Sequence, residues 1–321
     1  VHQVLPLQHL QHLQLSPMSM PHGWQPRHLL KLVQLKTLAL HHFEVTDALL
    51  VAATWRLLPQ LSEIRMVFRL GKQLQPCSDI QYSMRTLLAA AGAATQLTSL
   101  HVQLMDCNEV GHLKPLQACE GLAQLANLKE LTLSGLCMAR GDALALTALT
   151  GLTRLQLEFI TVEFDRKYHV HPEGKAAATA LARSLTQLCG LVLEGCGYDM
   201  GSEEFLAAIG RLQRLTELRL GGDGLTPQGL MQLPASVTGL SRLQRLDVTP
   251  SREVADKVMK RFLAAAVAAG GSSIEIVSYP WIWWPELRED WFSDFVRWLI
   301  GASDDGRPQS RDENSCTTAL V

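Results

Sequence analysis

The chain has 321 residues, 29 Lys+Arg against 31 Asp+Glu for a net charge of -2, and 47% hydrophobic side chains. That balance argues against the basic footprint of a nucleic-acid binder, the apolar content excludes a wholly disordered chain, and the length allows one to three domains. Leu occurs 57 times and Ile only 8, whereas an ordinary core shares burial among Leu, Ile and Val. One side-chain shape is therefore wanted in the same place many times.

Residues 1–26 carry no Lys or Arg and are broken by Pro6, Pro17, Pro21 and Pro26, so they do not read as a secretion signal. The chain begins with Val, from which a fragment or processed chain lacking an upstream domain is expected. A template L-x-x-L-x-x-L-x-L then recurs along the sequence, its last L-x-L alternating as a half-buried strand does. Leu7-Leu10-Leu13-Leu15 and Leu32-Leu35-Leu38-Leu40 are the first two copies, followed by a helical stretch at 46–58. Leu58-Leu61-Ile64-Met66 comes next, then a helix at 84–94, Ala94-Leu97-Leu100-Val102 and Leu125-Leu128-Leu131-Leu133. A helix at 141–149 leads to Leu149-Leu152-Leu155-Leu157, and one at 172–185 to Leu185-Leu188-Leu191-Leu193. A helix at 202–212 precedes Leu212-Leu215-Leu218-Leu220 and Leu240-Leu243-Leu246-Val248. A last helix at 251–269 precedes the degenerate copy Ala268-Gly271-Ile274-Ile276. Thr46/Asp47, Pro172/Glu173 and Ser202/Glu203/Glu204 supply helix-start chemistry.

Ten copies at spacings of 24 to 36 residues resemble the leucine-rich repeat family over roughly residues 5–278. The unit lengths and long helices are most similar to its ribonuclease-inhibitor-like or cysteine-containing subclasses. The resemblance implies an α/β solenoid, or horseshoe, with parallel strands on the concave face and helices on the convex one. The family usually places Asn or Cys three residues after the last Leu. Only Cys196, in LVLEGCG, matches that position well.

In such a solenoid the residue between the last two anchors faces the concave wall, giving Gln14, Ala39, Arg65, His101, Thr132, Gln156, Val192, Arg219, Asp247 and Glu275. A second column reads Ser16, His41, Val67, Gln103, Ser134, Glu158, Glu194, Gly221, Thr249 and Val277. Neither column carries a Lys/Arg stripe or aromatic platforms. Arg65, Phe68 and His101 form one expected contact cluster, with Phe159, Arg219 and Arg245 as further candidates for partner binding.

Beyond the last copy, Trp281, Trp283, Trp284, Trp291 and Trp298 crowd a short segment. Leu287, Trp291, Phe295, Trp298 and Leu299 share one helical face, which suits either a cap over 279–300 or an aromatic dock. Residues 301–321 are polar and expected to be disordered. Two insertions, 69–83 and 160–175, stretch their units, and such excursions commonly map to loops beside binding faces.

No motif for chemistry emerges. The glycines of 221–224 (GGDG) match neither a P-loop nor a dinucleotide fingerprint. His169 and His171 lack an acidic or Cys partner at metal-ligand spacing. The seven cysteines form no CxxC pair, and none of the three asparagines heads a glycosylation acceptor, which fits a reducing compartment. The uncharged run 86–105 contains Gln96, His101 and Gln103 and reads as soluble repeat. The expectation is a non-catalytic, cytoplasmic, monomeric scaffold binding another protein along its concave wall, without cofactor, metal, nucleic acid or membrane. Resemblance leaves open a cytoskeletal or axonemal subunit, a ubiquitin-ligase substrate receptor whose F-box lies upstream, and a GTPase-activator-like regulator.

Overall fold

A Leu at every third residue followed by alternation makes each unit turn tightly and then run straight, its apolar side facing one way. The computed structural model describes residues 9–16, 25–69, 77–105, 119–138, 141–158, 161–162, 172–195, 198–222, 224–249, 254, 256–270 and 274–278. The strands in chain order are β1 (His12–Leu15), β2 (Thr37–Phe43), β3 (Glu63–Arg69), β4 (Ser99–Met105), β5 (Glu130–Ser134), β6 (Cys137–Met138), β7 (Arg154–Glu158), β8 (Thr161–Val162), β9 (Gly190–Glu194), β10 (Glu217–Gly221), β11 (Arg245–Thr249) and β12 (Glu275–Ser278). Ten of them form one open, wholly parallel sheet in the order β1-β2-β3-β4-β5-β7-β9-β10-β11-β12. The two-residue strands β6 and β8 pair separately.

The other layer is helical: α1 (Val45–Ala52), α2 (Cys77–Gly92), α3 (Cys119–Leu122), α4 (Asp142–Ala145), α5 (Pro172–Ser184), α6 (Glu203–Ile209), α7 (Pro227–Val237) and α8 (Asp256–Gly270). Each packs on its sequence neighbour. The chain is a leucine-rich repeat solenoid, strands lining its concave face and helices its convex face. Parallel strands need a crossover between them, and the right side chains for it sit in the Leu-rich turn and helix. Between the layers lies one continuous core. Leu38, Ile64, Leu100, Leu131, Leu155, Leu191, Leu218 and Leu246 occupy the same register position in successive strands, all essentially without exposure.

A backbone ladder runs the length of this stack. The carbonyls of Gln11, Lys36, Ser62, Thr98, Lys129, Thr153, Cys189 and Thr216 each accept two consecutive amides from the next unit, at 2.7–3.1 Å. Side-chain hydroxyls reinforce it: Thr98, Thr153 and Thr216 donate to the Ser62, Lys129 and Cys189 carbonyls. Strand exits also repeat. Gly135, Gly195 and Gly222 adopt positive φ directly after β5, β9 and β10, and their amides reach the Glu158, Gly221 and Thr249 carbonyls. On β2 the corresponding residue is His42 at φ 59, the extra residue where pairing slips between His41 and Phe43. Glycine tolerates this left-handed geometry; histidine accepts it at a cost.

Several expectations change. The helix expected over 84–94 begins earlier, at Cys77, so the latter half of the 69–83 insertion is helix α2 rather than loop. The stretch 46–58 divides into α1 and a 3-10 turn Trp55–Leu57, and 141–149 into α4 and a 3-10 turn Leu146–Ala148. Helix α7 was not among the expected helices; Pro234 stands inside it, the Thr226 hydroxyl accepts from the Gly229 amide at 3.2 Å and Pro227 opens it in the standard way. The tenth copy pairs two residues later than expected: Ile276 aligns with Leu246, Glu275 with Arg245 and Val277 with Asp247. The Trp-rich segment and tail at 279–321, and most of 160–175, lie outside the described residues.

Candidate functional site

Every strand turns its anchor residues to the core, so whatever the concave wall does is done by three in-register columns of the remaining side chains. The column between anchors runs Gln14, Ala39, Arg65, His101, Thr132, Gln156, Val192, Arg219, Asp247 and Val277. The second holds His41, Val67, Gln103, Ser134, Glu158, Glu194, Gly221 and Thr249. A third, one residue before the anchors, holds His12, Thr37, Glu63, Ser99, Glu130, Arg154, Gly190, Glu217, Arg245 and Glu275. Sequence reading picked out the first two columns and passed over the third, which only the pairing register reveals.

At the β2–β5 end the wall is open. Arg65 is exposed, and His41, His101, Gln103 and Thr132 are half-exposed. An ion pair of 3.8 Å joins Arg65 to Glu63 on the same strand, and Glu63 also accepts from the Thr37 hydroxyl at 3.2 Å. Exposed pairs of this kind contribute little, on the order of 0–1 kcal/mol, so Arg65 is readily turned to another anion. Burial, then His42 and Arg65, hold the His41 imidazole below its ordinary value of 6.5. His101 is lowered by burial, by Arg65 and more weakly by His41, against opposing contributions from Gln103 and Glu158. Both rings are therefore held toward the neutral form.

At the β7–β11 end the wall closes on itself. Arg219 grips Glu194 at 2.6 Å. The Arg245 guanidinium meets both oxygens of the buried Asp247 at 2.9 and 3.1 Å, and reaches Glu275 at 3.8 Å. Gln156 donates to Glu158 at 2.8 Å. Arg154 passes over Gly190 to Glu217, two strands away, at 3.9 Å. Gly221 makes similar room, since a β-carbon there would stand 2.7 Å from that of Thr249 and 3.2 Å from Glu194. Burial pushes the Glu194 carboxyl above its ordinary 4.5; Arg219 and the Thr249 hydroxyl pull it back, while Glu158 and Asp247 push it further up.

The structure brings Arg65 and His101 together on adjacent strands, as expected, and corrects Phe68. That side chain belongs to the face of Ile64 and Met66 and is completely buried, so the expected cluster loses its aromatic member. Arg219 and Arg245 stand on the wall, engaged in the ion pairs above. Phe159 and Cys196 lie outside the described residues. The glycines of 221–224 serve packing: Gly222 takes φ 106 and Gly224 abuts the Tyr198 carbonyl. Cys119 is buried, which pushes its thiol well up; its amide donates to the Asp142 carboxylate at 2.9 Å, a link between neighbouring helices. Among the described residues no group of three or more His, Cys, Asp or Glu is placed to hold a metal ion, and no helix is long and apolar enough to cross a membrane.

No protein-family model matches the chain, and no curated protein matches it by sequence. Solved structures do match, among them the plant peptide hormone receptor RGFR1 in complex with RGF2, at 12% identity and a TM-score of 0.35. The match covers 84% of this chain and 47% of the receptor chain, so the present chain spans about half its length.

Proposed function

We propose that the protein is a non-catalytic scaffold that holds another protein against its concave wall, with the β2–β5 end as the docking surface. The observation that carries this reading is the contrast within the wall: Arg65 is exposed and His41, His101 and Gln103 are partly so, while Glu194 and Asp247 are buried against Arg219 and Arg245. A surface that must be stripped of its own ion pairs binds at a disadvantage, because desolvating and separating paired charges costs several kcal/mol. Arg65 and His101 are the side chains placed to make contact; Arg219 and Arg245 fix the wall's shape. Helices in nearly every unit favour the ribonuclease-inhibitor-like or cysteine-containing subclass. Cys119 and Cys189 are free thiols, which supports a reducing, cytoplasmic setting.

Affinity capture with three forms of the chain tests the surface. Arg65→Glu/His101→Glu is expected to lose the partners held by the unaltered chain, whereas Arg183→Glu, on the exposed side of α5, retains them. Identical partners for all three would discard the concave wall as the binding face.

A further inference from the structure

We propose that the chain's own Trp-rich segment, residues 279–300, docks onto the β10–β12 end of the concave wall and closes that end to partners. The two outermost strands of the sheet differ, although each has a neighbour on one side only. On β1 the wall residue Gln14 is exposed and the anchors Leu13 and Leu15 are half-exposed, as an uncovered edge dictates. On β12 the wall residue Val277 is only 3% exposed, and the anchor Ile276 is buried as well.

Flanking strands do not account for this. Val67 and Val192 also face the wall, each between two paired strands, and they are 9% and 7% exposed. With one flank open Val277 should be the most exposed of the three valines, and it is the least. The Arg245 guanidinium is directed to Asp247, across from Val277 on β11, and to Glu275. Its cover therefore lies on the inner flank, and no strand among the described residues lies beyond the outer one. Because Val277 points to the concave side, what buries it reaches over the wall and does not merely abut the edge of the sheet.

Connectivity selects the occupant. Strand β12 ends at Ser278, and the segment starts at the next residue. Trp281, Trp283 and Trp284 follow three, five and six residues on. At roughly 3.3–3.6 Å per extended residue they reach about 10–20 Å, or two to four strand spacings back across the wall. A segment tethered so closely acts at roughly millimolar effective concentration, against which a partner from solution must compete. The surface suits flat rings: Gly221, Thr249 and Val277, on successive strands, are all small, and each indole can bury about 150–250 Å² against them. This proposal goes beyond the scaffold reading and does not depend on it, since the β2–β5 end stays open.

Photo-activated carbene labelling of the full chain, read residue by residue by mass spectrometry, tests the contact. Trp281→Ser/Trp283→Ser/Trp284→Ser leaves every described residue unaltered, and thermal melts confirm that it folds. Labelling at Val277 and Thr249 is expected to rise severalfold in this variant, with Gln14 unchanged. Acrylamide quenching gives a second reading, because five of the seven tryptophans lie in the segment. Val277→Lys is expected to make the emission severalfold more quenchable, whereas Gln14→Lys, at the same position of β1, leaves it unaltered. Protection of Val277 that persists in the triple variant overturns the proposal and assigns the cover to another part of the chain, such as the 160–175 insertion. Quenching that is unchanged by Val277→Lys overturns it as well.

Discussion

Around β2–β4 the concave wall offers Arg65 and two imidazoles held toward the neutral form to solvent, whereas around β9–β11 the buried Glu194 pairs with Arg219 of the next strand and the buried Asp247 with Arg245 of its own. The two ends share the same register, the same Leu anchors and the same backbone ladder. What separates them is the reach of their side chains. Where the column holds Gly190, the long neighbours Arg154 and Glu217 bridge the gap and pair with one another, and at Gly221 the missing side chain leaves room for Glu194 and Thr249. Where it holds Arg65 and His101, no such gap exists and the heads stay apart. A repeat fold thus lets one sheet carry a self-contained region and a receptive one without altering its core.

The largest expected effect breaks the comparison vertically. Phe68→Ala, beneath the open end, should cost about 3–5 kcal/mol in chemical denaturation, since the ring is fully buried. Arg65→Ala, three residues away on the solvent side, should change stability by about 0.5 kcal/mol or less. Comparable losses for the two would mean that β3 does not separate core from wall as described.

Next in size is the glycine contrast at the closed end. Gly221→Ala drives a β-carbon to 2.7 Å from that of Thr249 and should cost about 1–3 kcal/mol. At Gly190 the nearest atoms belong to the flexible Arg154 side chain at 3.4 Å, so Gly190→Ala should be neutral or stabilising by up to about 1 kcal/mol. Thermal melts of the pair decide whether Gly221 is a true close approach.

The smallest effect is in the pH profile, where the two ends have opposite signs. His41 and His101 have lowered folded values, so the unfolded chain binds more protons in that range. Their contribution is complete above 6.5 and is lost as pH falls through the histidine range. Glu194 has a raised folded value, so its contribution is complete below 4.5 and is lost as pH rises through the folded value. Glu194→Gln should therefore raise the melting temperature at pH 7 and lose that advantage below pH 4, while His41→Gln/His101→Gln should flatten the decline between pH 7 and 5. An advantage for Glu194→Gln that persists at low pH would show that the carboxyl's environment is misjudged.

The strands were legible because Leu anchors repeat at fixed spacing and alternation assigns their faces. The same alternation could have placed Phe68 inward with Ile64 and Met66, had β3 been read past its second anchor. The error in the tenth copy is of another kind. A slip of two residues leaves every side chain on its own face, so Ile274-Ile276 reads as well as the observed pairing. Only the Glu275 amide on the Gln244 carbonyl, one more rung of the ladder, distinguishes them. Helix α7 stayed hidden behind Pro234. The ion pairs of the closed end were beyond sequence, because Arg154 and Glu217 lie far apart in the chain and meet only once β9 supplies a glycine between them.

The backbone ladder has a consequence for distance. Because each unit is joined to the next by the same carbonyl and amides, whatever its side chains, the wall is graduated in fixed steps of about 4.8 Å. His101 on β4 and Glu194 on β9 are three graduations apart, roughly 14 Å. That interval can change only by a whole strand, through gain or loss of a repeat. A partner fitted to both landmarks would therefore be matched to a ruler rather than to a flexible surface.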